Sequence, residues 1–201
     1  MRNTIIYLIG GPGVGKQTIA KEIQKKQSFT LVDNHSYTNA IFSVSKNYSH
    51  PKHEEYRLKV RNIVLEAMGE ICPKGESFIF TNVISLGEEN SYYKPVEKLA
   101  NTRQALFVPV MLLCDVNENK KRIANPFRKK FLKTINPDVV QQIANLGLPE
   151  IEHPNLLRLD VTKLSATEAA FQIIKHANHV RKKQNGYYMK FSKNANGGAS
   201  L

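Results

Sequence analysis

Residues 4 to 22 constrain this chain more than any other stretch. Thr4 to Ile9 is a short apolar run, mostly β-branched, of strand length. It ends at Gly10-Gly11-Pro12-Gly13-Val14-Gly15-Lys16, and from Gln17 onward Ile19, Ala20 and Ile23 fall at helical spacing. A strand, a glycine-rich turn and a helix, in that order, is the setting that a phosphate-binding loop requires. Such a loop gathers backbone N–H groups around phosphate oxygens, so it must turn tightly with no side chains in the way, which glycine permits. The following helix adds unpaired N–H groups and a partial positive charge at its start. Lys16 supplies a point charge for the outer phosphates.

The usual pattern places Ser or Thr directly after the lysine, where the hydroxyl ligates Mg²⁺. Here Gln17 stands there and the hydroxyl comes one residue later, at Thr18. Gly-x-Pro-Gly-x-Gly-Lys-x-Thr resembles the loop of the adenylate kinase family. That resemblance implies ATP held by Gly11, Pro12, Gly13, Val14, Gly15, Lys16, Gln17 and Thr18. It also implies that Thr18 touches the α-phosphate, with Mg²⁺ held largely by water and an acidic residue, and Thr18 and Asp33 are the candidate metal contacts.

The chain's 201 residues suffice for one domain with a sizeable core. No run approaches 18 apolar residues, so no membrane span and no membrane partner are expected. Cys72 and Cys114 sit in apolar surroundings and read as buried thiols rather than a bridge, and the cytoplasm is the expected compartment.

The net charge of +12 is concentrated in two places. Residues 119 to 137 carry seven basic side chains and no acid, and residues 181 to 201 carry five more, again without an acid. Outside these segments 17 basic residues balance 17 acidic ones. Basic surfaces attract polyphosphates, nucleic acid and anionic membranes alike, so charge by itself leaves the partner open.

Further strands are expected at Phe29 to Val32, Ser77 to Ile84, Leu106 to Cys114 and Asn155 to Asp160. Helical patterns cover Tyr37 to Val44, His53 to Ile71, Asp115 to Ala124 and Pro137 to Asn145. Another starts near Pro95, and the last covers Ser165 to His179, with Ser165 and Glu168 spaced as a capping box. Alternating strands and helices imply an α/β fold, a five-stranded parallel sheet with helices on both faces. The organisation expected is a domain over residues 1–180, a basic lid at about 119–137, and a basic tail over 181–201 made of a helix extension and a disordered polar end.

Ligands of open α/β sheets sit beyond the carboxyl ends of the strands. Asp33 closes the second strand there and has two candidate tasks: holding Mg²⁺, or accepting the proton of an attacking hydroxyl. Asn34 and His35 follow it and Asn82 ends the third strand, so all three are candidate acceptor contacts. Asp33-Asn34 also suits the cap of the next helix. An aspartate at this place resembles shikimate kinase and chloramphenicol phosphotransferase. The Asp-Gly that adenylate kinases carry after strand three is absent, which argues against a standard nucleoside monophosphate kinase.

After strand four, Arg122 followed six residues later by Arg128 resembles the lid of the P-loop kinases. The resemblance implies that these arginines close over the γ-phosphate, a task suited to a permanently charged group with several donors. Arg57 and Arg61 are candidate contacts for an anionic acceptor, with pairing to Glu54 or Glu55 as the alternative.

Together these features imply a P-loop kinase that moves the γ-phosphate of Mg-ATP to a small-molecule hydroxyl or phosphate, with Lys16, Asp33, Arg122 and Arg128 as its catalytic residues. Two alternatives stay open: a nucleoside or polynucleotide kinase using the basic lid and tail on nucleic acid, and an ATP-binding regulator without turnover. A monomer and a homodimer are equally compatible with the sequence. Asn119-Lys120-Lys121-Arg122 lacks the acid of the guanine-specificity motif, which argues against a GTPase.

Overall fold

A computed structural model describes residues 3–195 other than 46, 48, 49, 85, 87 and 132. The strands are β1 (Thr4–Ile9), β2 (Thr30–Asp33), β3 (Phe78–Asn82), β4 (Leu106–Leu113) and β5 (Leu157–Asp160). They form one parallel sheet in the order β2-β3-β1-β4-β5. The helices are α1 (Lys16–Lys26), α2 (Asn34–Val44), α3 (Lys52–Glu70), α4 (Glu89–Tyr92), α5 (Lys94–Thr102), α6 (Val116–Ile123), α7 (Asp138–Leu146) and α8 (Ala166–Ala195), with a 3-10 helix at Pro126–Phe131.

β1 is buried along its whole length because both its faces are covered. Ile6 and Leu8 join the core under α1 and α8, where Ile19, Ala20, Ile23, Ala170, Ile173 and Ala177 meet them. Ile5, Tyr7 and Ile9 point the other way, onto Leu65 and Met68 of α3 and Val96 and Leu99 of α5. Strand alternation thus sends one segment into two cores. Each fully buried aliphatic side chain contributes about 2 kcal/mol of hydrophobic free energy.

β1 has β3 on one side and β4 on the other. Its own crossover through α1 leads past β3 to β2, whereas the next strands proceed the opposite way, so the order reverses beside β1. A crevice opens at such a reversal, and the glycine-rich turn lies at its mouth.

The expected strands and helices are present, with ends shifted by a few residues. The main shift is at Asn34 to Ser36, which continue β2 directly into α2 because Asp33 caps that helix, its carboxylate accepting from His35 N at 3.4 Å. The capping box is formed: Ser165 N donates to Glu168 Oε2 at 2.8 Å, and Glu168 N to Ser165 Oγ at 3.2 Å. α8 runs on through Ala195, so the tail is helical over most of its length, and the polar end expected to be disordered lies, from residue 196, outside the described residues. Cys72 and Cys114 are free, as expected, but only half-buried. No helix among the described residues is long and apolar enough to cross a membrane.

Candidate active site

The loop's shape follows from its glycines. Gly13 has φ 87° and Gly15 φ 105°, conformations that strain other residues. A Cβ on Gly13 would also stand 2.7 Å from Asn119 Oδ1 and 3.0 Å from Ile123 Cβ, since α6 packs directly on the loop. α1 begins at Gly15 without a capping side chain. Its first N–H groups therefore await an acceptor from outside, the arrangement in which helix starts take up anions.

Lys16 folds back over this loop, and its Nζ donates to the carbonyls of Gly10 at 2.7 Å and Gly11 at 2.8 Å. Burial, with Lys133 and Arg128 nearby, pulls its pKa down to about 7, against the pull of Asp33.

A cleft of about 750 Å³ spreads from the loop across the carboxyl ends of the strands. Every loop residue from Pro12 to Thr18 lines it, together with Asp33, Asn34, His35, Arg122 and Arg128. A hollow of about 820 Å³ elsewhere, bordered by Lys26, Phe171 and His176, includes no loop residue; the phosphate-binding geometry selects the first.

Asp33 is buried, and three elements converge on it. Gln17 Nε2 donates to Oδ2 at 2.5 Å, Thr81 Oγ1 donates to Oδ1 at 3.0 Å, and Lys133 Nζ stands 3.5 Å from Oδ2. Lys133 also donates to Gln17 Oε1 at 3.1 Å. The residue that replaces the usual hydroxyl thus bridges a carboxylate and an ammonium. Lys133 was not among the candidate residues, because nothing local to it marks a contact 100 positions away. The misfit of Gln17 in the loop pattern was the available signal.

Asn34 Nδ2 donates to Asn82 Oδ1 at 3.2 Å, and Asn82 Nδ2 donates to Tyr7 Oη at 3.2 Å. Asn82 is buried and stands behind the cleft wall, where it supports Asn34. His35 lines the cleft, and its pKa is lowered, chiefly by burial, against the pull of Asp33.

Arg122 donates from Nε to Glu118 and from Nη2 to the carbonyls of Val161, at 3.1 Å, and Thr162, at 2.8 Å. It thereby ties α6 to the end of β5. Arg128 Nε donates to the Thr134 carbonyl at 3.0 Å, holding the turn after the 3-10 helix. The exposed Phe127 ring and Thr134 complete this wall.

The expectation for Arg61 is corrected: its side chain is 2% exposed and spends its guanidinium on the carbonyls of Ser91 and Tyr92, the latter at 2.7 Å. It lies inside the fold because α4 needs those carbonyls satisfied. Arg57 pairs with Glu54 at 2.6 Å and sits over the Phe42 ring, which took the alternative the sequence offered.

Asp33 is the acidic side chain of this wall, and no group of three or more His, Cys, Asp or Glu residues able to hold a metal occurs among the described residues. That suits Mg²⁺, which keeps several waters and binds through one or two carboxylates plus substrate phosphates. Asp33 and Thr18 both line the cleft and offer oxygen donors of the hardness Mg²⁺ prefers.

No protein-family model and no curated protein matches this chain. Solved structures do. A gluconokinase from Sinorhizobium meliloti 1021 superposes with TM-score 0.62 at 12% identity, covering 93% of this chain and 97% of that one. The APS kinase of Mycobacterium tuberculosis, solved with AMPPNP and APS, gives 0.58 at 14% identity, covering 88% and 98%. Shikimate kinase from Acinetobacter baumannii, solved with shikimate, gives 0.52 at 15% identity, covering 86% and 91%. At such identities the likeness is one of architecture: this chain has the fold of the P-loop small-molecule kinases.

Proposed function

We propose that this chain is a small-molecule kinase that transfers the γ-phosphoryl group of ATP to a hydroxyl. The observation that carries the reading is Asp33: a buried carboxylate at the end of β2, facing the phosphate loop across a cleft whose other walls supply Lys16, Arg122, Arg128 and Lys133. Phosphoryl transfer rests on positioning and on neutralising charge on the transferring group. In this reading the backbone N–H groups from Gly13 to Thr18 clasp the phosphates, Lys16 leaves the carbonyls of Gly10 and Gly11 for the β- and γ-phosphates, and residues 119–137 act as the lid. Arg128 and Lys133 bring charge to the γ-phosphate. Arg122 holds the lid's root against β5.

Asp33 takes the proton of the attacking hydroxyl and, with Thr18, would hold Mg²⁺. Bound there, Mg²⁺ would offset charge on the phosphates. Asn34 and His35 orient the acceptor, and Asn82 keeps Asn34 in place. The acceptor wall holds Asn34, His35, Phe42, Thr81 and Val83 rather than a basic track, which favours a small molecule over a polynucleotide.

The test is incubation of the full chain with γ-labelled ATP, Mg²⁺ and pools of sugars, nucleosides, antibiotics and oligonucleotides. Label should move to a small molecule, Lys16→Ala should abolish transfer, and Asp33→Asn should lower it by about a thousandfold while ATP still binds. Full activity in Asp33→Asn would remove the carboxylate from the mechanism.

A further inference from the structure

Among the described residues, four donors fill the carboxylate of Asp33. An ionised carboxylate offers about four acceptor sites, two on each oxygen. The Thr81 hydroxyl at 3.0 Å and His35 N at 3.4 Å take Oδ1, while Gln17 Nε2 at 2.5 Å and Lys133 Nζ at 3.5 Å take Oδ2. The Lys133 and Asp33 side chains are 15% and 10% exposed, so solvent screens the pair weakly. A metal ion or a substrate hydroxyl reaches this carboxylate only by displacing a donor.

The four donors are not equally replaceable. His35 N belongs to the first turn of α2, whose cap is Asp33 itself. Thr81 lies on β3 and Gln17 on the first turn of α1, so the sheet and the loop's own helix carry both. Lys133 follows the 3-10 helix, reaches in on a flexible four-carbon stem, and makes the longest of the four contacts. It is also the one charged donor of the four. A divalent cation at Asp33 would repel an ammonium at this distance, more strongly than in bulk water, and would tolerate the neutral donors.

We infer that Lys133 is the resident counter-ion of Asp33, an alternative occupant that a divalent cation must evict before it can use this carboxylate. This rests on the phosphotransfer reading given above. The exchange keeps the charge of Asp33 balanced before and after, and it frees an ammonium for the phosphates. The backbone ties the exchange to the lid. Lys133 N donates to the Arg128 carbonyl at 3.2 Å, and Arg128 Nε donates to the Thr134 carbonyl at 3.0 Å, so the two cations share one closed turn. Eviction of Lys133 therefore unpins the turn that carries Arg128, leaving its second tether, Gln17 Oε1 at 3.1 Å, as a neutral contact.

Mn²⁺ is the probe, titrated alone into the full chain with the free ion followed by electron paramagnetic resonance. Lys133→Gln removes the charge and keeps a polar side chain, and it should bind Mn²⁺ at least about tenfold more tightly than the native chain. Lys133→Arg keeps the charge and should match the native chain. Adding Asp33→Asn to Lys133→Gln should abolish the gain. Circular dichroism checks each fold, and Lys133→Met repeats the test with a second uncharged side chain. Equal, weaker or undetectable Mn²⁺ binding by the uncharged variants overturns the inference and makes the pair a structural tie. A gain that survives Asp33→Asn overturns it too, since the ion then binds elsewhere. Either result beside intact Mg-ATP binding by the native chain, read by calorimetry, leaves phosphotransfer standing; failure of the native chain to bind Mg-ATP removes both.

Discussion

Gln17 Nε2 lies 2.5 Å from Asp33 Oδ2, so the residue standing where a metal-binding hydroxyl is usual holds the cleft's carboxylate in place. The same side chain receives Lys133 on its oxygen, so it bridges the loop, the end of β2 and the segment after the 3-10 helix. Gln17→Ala is expected to lower kcat by about tenfold, the usual cost of removing a supporting partner from a catalytic group, with little change in the KM for ATP. Its folding free energy should fall by about 1 kcal/mol, since the lost bond is to a charged but partly solvated group. Steady-state kinetics and urea unfolding check both; an unchanged kcat would reduce the contact to local packing.

Lys16 yields a prediction with a defined sign. Its folded value of about 7 lies below the ordinary 10.5, so at pH 8.5 the free protein leaves it largely uncharged. Phosphates arriving over the loop favour the ammonium and raise that value. Nucleotide binding at pH 8.5 should therefore take up close to one proton, seen as a dependence of the calorimetric enthalpy on the buffer's ionisation enthalpy. The same shift makes the free protein gain stability as pH rises from about 7 to about 10, because the unfolded chain binds the extra proton. Binding heats that do not vary with buffer would contradict this.

Arg61 belongs to the architecture. Arg61→Ala leaves the carbonyls of Ser91 and Tyr92 without their donors inside the protein, a loss of about 3 kcal/mol at 1–3 kcal/mol per group. Urea unfolding should show it. A variant that stays equally stable but loses acceptor affinity would return Arg61 to the site.

The sequence made much of this molecule legible, and the reasons are local. Glycine positions 10, 13 and 15, the apolar run before them and the helical spacing after them act over a few residues, as does the Ser165–Glu168 box. The place of Asp33 in the cleft was legible because strand ends in such sheets border the crevice. What the pattern left hidden depends on distant chain segments meeting. Arg61 reads as one more charge on a helix until α4 covers it. Asn82 sits at the right strand end, yet its amide is taken by Tyr7 beneath the cleft. Lys133 stood among seven similar cations, and only its approach to Asp33 singles it out.

Asn119 rests against Gly13, so the glycine-rich loop and α6 touch at a seam with no room for even a methyl group. In the proposed mechanism, flexing of the loop around a triphosphate would press on α6, which carries Arg122. Grip and enclosure would then be geared together in the proposed kinase, and a mutation that opened a gap at this seam would leave a loop that still catches nucleotide beneath a cover that no longer hears of it.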